Sequence, residues 1–294
     1  MLPVAFWVHH LDPFLHRFSE NFGIRWYGIA YISAFIVAAW MLTRYSKTGR
    51  SLLPSTKVPD LLTALILGVV LGGRIGYYLL YDGWRSFSDD PLGILRVWEG
   101  GMAFHGGLAG VCLAVIIYAR NQKLPILHLA DLVSSVAPFG LLFGRLANFQ
   151  NGELWGKVTD VSWAVIFPLS AAPGTATAFI PPRHPSQLYE AATEGLLLTV
   201  FVQWRLWFTP SLAKQPGRLS GECLLAYAAA RIFCELFREP DASLIGFGTW
   251  VVSRGTFYSF FIIAGGLLLI ALSFRHGPLS PSPKVPDSHP PGSC

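Results

Sequence analysis

"PILHLADLVSSVAPFGLLFGRLANFQNGELWG", residues Pro125–Gly156, joins an apolar run to a dense polar end. A run of about 20 residues crosses a hydrocarbon core of roughly 30 Å as a helix, because only a helix satisfies its own backbone groups there. Between Gly144 and Gly156 the chain places an arginine, two asparagines, a glutamine and a glutamate where such a span should end. Besides this span at 125–148, apolar segments of similar length lie at 24–43, 59–81, 101–119, 186–208, 219–238 and 256–274. Composition agrees: 13% of the 294 residues are charged and 52% are hydrophobic, whereas soluble domains carry about 25% charged residues. The expected fold is an all-α polytopic membrane protein, a bundle of seven transmembrane helices.

Charge placement predicts the orientation. With the N-terminus outside, the inner connections (44–58, 120–124, 205–218 and the tail from 275) hold 11 Lys and Arg in 54 residues, against 7 in 97 for the outer ones. The positive-inside rule therefore favours N-out, C-in. Asp82, Asp89, Asp90 and Glu99 gather in one outer loop. The domain plan that follows is an N-terminal interfacial segment, 1–23, carrying His9, His10 and His16 as interfacial surface. A seven-span domain, 24–275, includes a small periplasmic cap at 149–185. A Pro/Ser-rich tail, 276–294, is expected to be disordered in the cytoplasm. The opening residues lack a basic n-region, a compact apolar core and a small-residue cleavage site, so no cleaved signal peptide is expected.

Gly68, Gly72 and Gly76, Gly106 and Gly110, and Gly140 and Gly144 recur four apart, a spacing that lets helices approach closely. Cys112, Cys223 and Cys234 fall in apolar segments without CxxC or metal-ligand spacing, and are expected to be small buried residues.

The predicted topology gives every intramembrane polar residue a depth. Arg145 and Asn148 lie near the outer end of span four, His105 near the outer end of span three, Tyr27 at the outer start of span one and Arg74 in the outer half of span two. "RHPSQLYE" (Arg183–Glu190) enters span five from the same side. In span six Tyr227, Arg231, Glu235 and Arg238 share one helical face. An arginine at mid-membrane costs at least about 2.5–3.5 kcal/mol, so Arg74, Arg145 and Arg231 need partners or an anion. Weighed against Glu153, Glu190 and Glu235, the arginines predict a cationic pocket facing the outer leaflet, suited to a phospholipid phosphate. Arg238, at a helix end, is expected to snorkel. Asp131, in the inner half of span four, has no basic neighbour in sequence and receives no role. No G-x-S-x-G, HExxH or GxxxxGK[ST] occurs, which excludes serine-hydrolase, zinc-peptidase and P-loop chemistry. An anion transporter would use the same arginines, but it predicts polar groups at both depths and often an internal repeat. The cluster here is one-sided, and no repeat is seen.

"GRLANFQNGELWG" closely resembles the signature segment of bacterial prolipoprotein diacylglyceryl transferases. "IRWYG", "GGRIGYYLLY", "RVWEGGMAFHGGLAG", "RHPSQLYE" and "RIFCELFREPD" follow in the family's order, so the resemblance covers about 22–272. Ala147, Gln150, Lys157 and Thr256 depart from the family pattern. The resemblance implies an inner-membrane transferase that moves the diacylglyceryl group of phosphatidylglycerol onto the lipobox cysteine of a prolipoprotein, as a thioether, releasing glycerol phosphate. Its partners would be phosphatidylglycerol, a prolipoprotein signal peptide and the bilayer, with no nucleic acid, and no metal or organic cofactor is implied. Carried over by position, Tyr27, His105, Arg145, Asn148, Glu153, Gly156, Tyr227, Arg231 and Glu235 are the functional positions. Arg145 and Arg231 are expected to stabilise the departing phosphate, and Arg74 to assist in lipid binding. His105 is the first candidate for the base that deprotonates the thiol, with Glu235 or Tyr227 in reserve. Asn148 and Glu153 would orient the site, and Gly156 would meet a backbone requirement, close approach or positive φ. A cavity opening sideways between helices near spans two, four, five and six would admit both lipid-borne substrates.

Overall fold

The computed structural model describes residues 6–19, 22–79, 90–96, 101–240, 245–247, 250–275 and 277. Asp82, Asp89 and Glu99 of the acidic loop and all of the Pro/Ser-rich tail except Gly277 lie outside the described residues. Seven long helical rods form the body among them: α1 (Trp26–Lys47), α2 (Val58–Tyr77), α3 (Phe104–Asn121), α4 (Ile126–Gln150), α5, α6 (Arg218–Cys234) and α7 (Arg254–Ser273). The fifth, α5, runs through Ser186–Glu190, a π-helical stretch Ala191–Leu197 and Leu198–Phe208. Four helices are long and apolar enough to cross a membrane by length and composition, Trp26–Lys47, Ser55–Tyr77, Ile126–Gln150 and Arg254–Ser273. The chain is a mostly helical, polytopic membrane protein.

Packing follows the small residues. The glycines of α2 and α3 face each other so closely that a Cβ on Gly110 would lie 1.9 Å from the Gly68 carbonyl oxygen, and one on Gly106 2.2 Å from that of Gly72. These two helices therefore pair backbone to backbone, as expected from the four-residue stripe. A second pair of small residues, Gly221 and Gly266, brings α6 against α7. Bulky apolar side chains fill the half of the bundle away from Arg145 and Asn148: Leu42, Tyr45, Leu61, Leu129, Val202 and Leu219 are essentially inaccessible. The outer surfaces stay apolar, as on α1, where Tyr31, Ile32, Ile36 and Trp40 are exposed. Such a surface suits a hydrocarbon solvent.

Pro138 sits inside α4 and cannot donate to the carbonyl one turn earlier. The Cys223 thiol of α6 donates to that oxygen, on Ser134, at 3.6 Å, so a neighbouring helix satisfies what the proline leaves open. Cys223 and Cys234 are buried, but Cys112 is exposed, contrary to the sequence expectation. The apolar character of its segment says only that its surroundings are greasy, not which way it faces.

Asp131, left without a role by the sequence, caps α6. Its carboxylate accepts from the backbone N–H groups of Gly217 and Ser220 and from the Ser220 hydroxyl, each at 2.7 Å. The donors are the unpaired first amides of a helix, which favour an anion.

An ordered cap covers the far end of the bundle. Strand β1 (Trp7–Val8) runs parallel to β4 (Val165–Ile166), while β2 (Phe14–Arg17) and β3 (Gly23–Arg25) form a hairpin leading into α1. Two further short strands, β5 (Ile245–Phe247) and β6 (Trp250–Val252), precede α7. His9 is not interfacial surface. It is buried, donates through Nε2–H to the Phe149 carbonyl oxygen (2.7 Å) and packs on Phe149 and Phe167. The ring occupies the space a side chain at residue 152 would need: a Cβ on Gly152, whose φ is +65°, would lie 2.9 Å from it.

Candidate active site

The polar end of α4 is built in two steps. The helix stops at Asn151, and Gly152 takes the left-handed conformation that reverses the chain, its N–H donating to the Phe149 carbonyl at 2.9 Å. The chain then folds under the start of α5. Gln187 Nε2 donates to the Glu153 carbonyl at 2.5 Å and the Ser186 hydroxyl to that of Leu154 at 3.0 Å. These bonds hold the Glu153 side chain over α4, where Oε1 accepts from Asn148 Nδ2 at 3.1 Å and from Asn151 Nδ2 at 3.3 Å. Asn148 Nδ2 also donates to the Tyr27 hydroxyl of α1. Gly156 meets its requirement by close approach: a Cβ there would lie 2.5 Å from the Phe237 carbonyl oxygen and 2.7 Å from His184.

One helical turn before Asn148, Arg145 enters a buried charge lattice. Its Nε lies 2.8 Å from Glu190 Oε2 and its Nη2 3.3 Å from Glu194 Oε2. Arg231 Nη1 reaches the same two carboxylates, at 3.2 Å from Glu190 Oε2 and 3.4 Å from Glu194 Oε1, while its Nη2 is 2.5 Å from Glu235 Oε1. Arg238 Nη1 completes the lattice on Glu190 Oε1 at 2.8 Å. Glu190 and Glu194 are both wholly inaccessible. Buried charges survive only when paired and hydrogen-bonded, and here each is.

Two expectations change. Arg238 does not snorkel; it is buried against Glu190, which offers a stronger partner than the interface does. The pocket is not a net cation either. Arg145, Arg231 and Arg238 face Glu190, Glu194 and Glu235, which makes the lattice formally neutral. Glu194 is the residue that sequence reasoning missed. Its signal was present, since an acid four residues after Glu190 in an apolar span shares its helix face.

The remaining candidates sit around this lattice. Tyr227 lies one turn before Arg231 on the same face of α6. His105, in the first turn of α3, places its ring 4.4 Å from that of Tyr258 on α7. Three residues before Tyr258 lies Gly255, whose backbone is so close to the lattice that a Cβ would fall 2.1 Å from Glu235 Oε1. The first turn of α7 thus touches both the ring of His105, through Tyr258, and the lattice, through Gly255. Arg74 is buried and donates to the carbonyls of Gly93, Ile94 and Gly101 at 2.6, 3.2 and 3.1 Å. These bonds fasten the segment between α2 and α3.

Lys157 ties the 149–185 segment to the end of α6, and Arg183 braces that segment internally. Lys157 Nζ donates to the carbonyls of Glu235 and Leu236 at 3.3 and 2.9 Å, and Arg183 Nη1 to that of Gly156 at 3.1 Å. Beside the lattice, between α5 and α6, an apolar groove of about 300 Å³ is lined by Thr193, Leu197, Phe201, Ala226, Ala230 and Phe233 among others.

The family model for prolipoprotein diacylglyceryl transferase matches residues 13–272. A phosphatidylglycerol–prolipoprotein diacylglyceryl transferase of Allorhizobium ampelinum is 47% identical over 263 residues, 86% of this chain and 87% of the relative. Those of Aliivibrio salmonicida (44% over 266 residues, 90% and 89%) and Vibrio vulnificus strain YJ016 (45% over 268 residues, 91% and 93%) are similar over comparable lengths. With nearly nine-tenths of its length matched by one family model, the chain belongs to the prolipoprotein diacylglyceryl transferase family.

Proposed function

We propose that the lattice of Arg145, Arg231 and their glutamates is where the phosphate of phosphatidylglycerol is held while its diacylglyceryl group passes to a cysteine thiol of a prolipoprotein. The transferase activity follows from family membership. The observation that supports this location is the convergence of two guanidiniums on one carboxylate oxygen, Glu190 Oε2, at 2.8 and 3.2 Å. A phosphate oxygen is the same kind of acceptor, and arginine forks suit it. The lipid headgroup thus competes with Glu190 and Glu194 for donors already aimed.

The reaction forms one bond and breaks one. A thiolate sulfur attacks the glycerol carbon that carries the phosphate, the carbon–oxygen bond breaks, and glycerol phosphate leaves with the electron pair. Arg145 and Arg231 stabilise the charge that builds on the leaving oxygen. The thiol's proton must go to a base, because a thiol of pKa about 8.5 is mostly protonated near neutrality. His105 is the first choice for that base; Glu235 and Tyr227 are the alternatives. Tyr27, Asn148 and Glu153 hold the end of α4 in register, Gly156 lets the cap close on the lattice, and Arg74 fastens the loop beside the lipid.

The seven rods are all spans in this reading, with the N-terminus outside and the C-terminus inside the bacterial inner membrane. Segment 1–23 lies at the interface, 149–185 is a periplasmic cap on the 24–275 domain, and 276–294 is a cytoplasmic tail. The site faces the outer leaflet, and the groove between α5 and α6 gives the lipid a sideways entrance.

The test uses purified protein in nanodiscs, supplied with phosphatidylglycerol and a lipobox peptide containing one cysteine. Wild type should release glycerol phosphate and add a diacylglyceryl mass to the peptide. Arg145→Ala should lose on the order of 10²–10³ in rate, by analogy with removal of an oxyanion donor. His105→Gln should lower the rate sharply if His105 is the base, and leave it near wild type if the ring only packs on Tyr258. An Arg145→Ala protein that remains folded and turns over at the wild-type rate would remove the lattice from the chemistry.

A further inference from the structure

A second polar site lies at the other end of the bundle. Fifteen residues of α5 separate Glu190 from Arg205, about 22 Å of helix. Where α5 turns into α6, a pocket of about 310 Å³ is lined by Arg205, Thr209, Pro210, Lys214, Gln215 and Arg218. One carboxylate serves both arginines. Glu222 accepts from Arg205 Nε and Nη2 at 2.6 and 2.7 Å and from Arg218 Nε at 2.8 Å. Arg218 Nη1 donates to Gln215 Oε1. Lys214 is exposed, and its ammonium has no hydrogen-bond or ion-pair partner among the described residues. With three cations and one acid, the pocket and its Glu222 carry a formal charge of +2.

Apolar surface flanks the pocket. Leu197, Val200, Trp204 and Phe208 recur at helical spacing on α5 and are 61, 58, 53 and 79% exposed, a stripe that descends beside Arg205 and Thr209. On the other side the Arg218 guanidinium lies over the ring of exposed Phe274, 5.8 Å from its centroid. An uncommitted ammonium and two half-neutralised guanidiniums thus meet two greasy faces, the arrangement found at headgroup depth.

We propose that this pocket binds the phosphate of an anionic ligand, at a site separate from the transfer site. Its seat between lipid-facing surfaces fits a phospholipid headgroup, and free phosphate has the same recognition chemistry. Placing it in the inner leaflet rests on the orientation proposed above; the affinity for phosphate does not.

The test places full-length wild type, Lys214→Gln and Lys214→Glu in phosphatidylcholine nanodiscs, either alone, with a minority of phosphatidic acid, or with millimolar inorganic phosphate in the buffer. Both faces of a nanodisc are open, so the result does not depend on orientation. Thermal unfolding and native mass spectrometry of retained lipid are read together, and Arg145→Ala controls for binding at the transfer site. Phosphatidic acid should stabilise wild type and Arg145→Ala alike. Lys214→Gln should weaken binding roughly fivefold, as expected for one surface cation, and Lys214→Glu further. Stabilisation by phosphatidic acid alone assigns the site to a lipid headgroup, and equal stabilisation by inorganic phosphate assigns it to a free anion. Wild type that responds to neither, or Lys214 variants that respond as wild type does, would overturn the proposal. Loss of transferase activity in Arg145→Ala with the phosphatidic acid response retained separates a failure of this site from a failure of the transfer-site reading.

Discussion

Glu190→Gln should be the most damaging conservative change in the protein. The carboxylate is wholly buried and receives Arg145, Arg231 and Arg238 at 2.8, 3.2 and 2.8 Å. Glutamine has the same shape, but one of its two positions becomes a donor aimed at a guanidinium. Removing one partner of a buried ion pair costs about 3–5 kcal/mol, because the remaining charges are left uncompensated. Glu194→Gln should cost about half as much, since its contacts to Arg145 and Arg231 are longer, 3.3 and 3.4 Å. At roughly 2 °C per kcal/mol for a chain of this size, Glu190→Gln should unfold about 6–10 °C below wild type. Tryptophan fluorescence during heating in nanodiscs measures this. The variant lattice carries one excess positive charge, so added phosphatidylglycerol should stabilise Glu190→Gln more than it stabilises wild type. The double variant with Arg238→Gln should recover part of the loss, with a coupling of about 0.5–3 kcal/mol. Glu190→Gln unfolding together with wild type, or Glu194→Gln proving the worse of the two, would refute the lattice as described.

Gly110→Val should disrupt the pairing of α2 and α3, because even a Cβ there would lie 1.9 Å from the Gly68 carbonyl oxygen; loss of folded protein by size-exclusion chromatography checks it. Asp131→Asn should lower stability by about 1–3 kcal/mol through unsatisfied helix-end donors, while leaving transfer per folded molecule unchanged. Acid should loosen the cap through His9. Burial, partly opposed by the bond to Phe149, depresses the imidazole below its ordinary value of 6.5. The stabilisation of the neutral ring is therefore complete above about 6.5 and is lost as pH falls through the depressed value. Amide exchange at His9, which donates to Ile166 at 2.8 Å, should quicken in that window, and His9→Phe should abolish this pH dependence.

The apolar segments read from the sequence coincide with the seven helical rods to within about four residues at nearly every end; 186–208, for example, matches the run from Ser186 to Phe208. Apolar periodicity over 20 residues is a strong signal because nothing else in a chain resembles it. Side-chain partners were harder. Glu194 was overlooked because it lies among small apolar residues in "EAATEGLLLTV", and its weight appears only when Arg145 and Arg231 arrive from other helices. Asp131 found a helix end in place of a base, which no pairing of charges along the sequence reveals. His9 was misjudged for a related reason: its partners, Phe149 and Phe167, lie at least 140 residues away. Contacts of that separation have no local signature.

The neutrality of the lattice has a consequence for how the chain is made. In the seven-span arrangement, α4 brings Arg145, α5 then adds Glu190 and Glu194, and the end of α6 supplies Arg231, Glu235 and Arg238. The running charge is therefore positive by one after α4, negative by one after α5, and balanced only when α6 has been synthesised. Each unbalanced stage would cost several kcal/mol in hydrocarbon. These three helices should accordingly leave the insertion machinery as a group rather than singly. A ribosome stalled between α5 and α6 would leave the nascent chain held at the translocon.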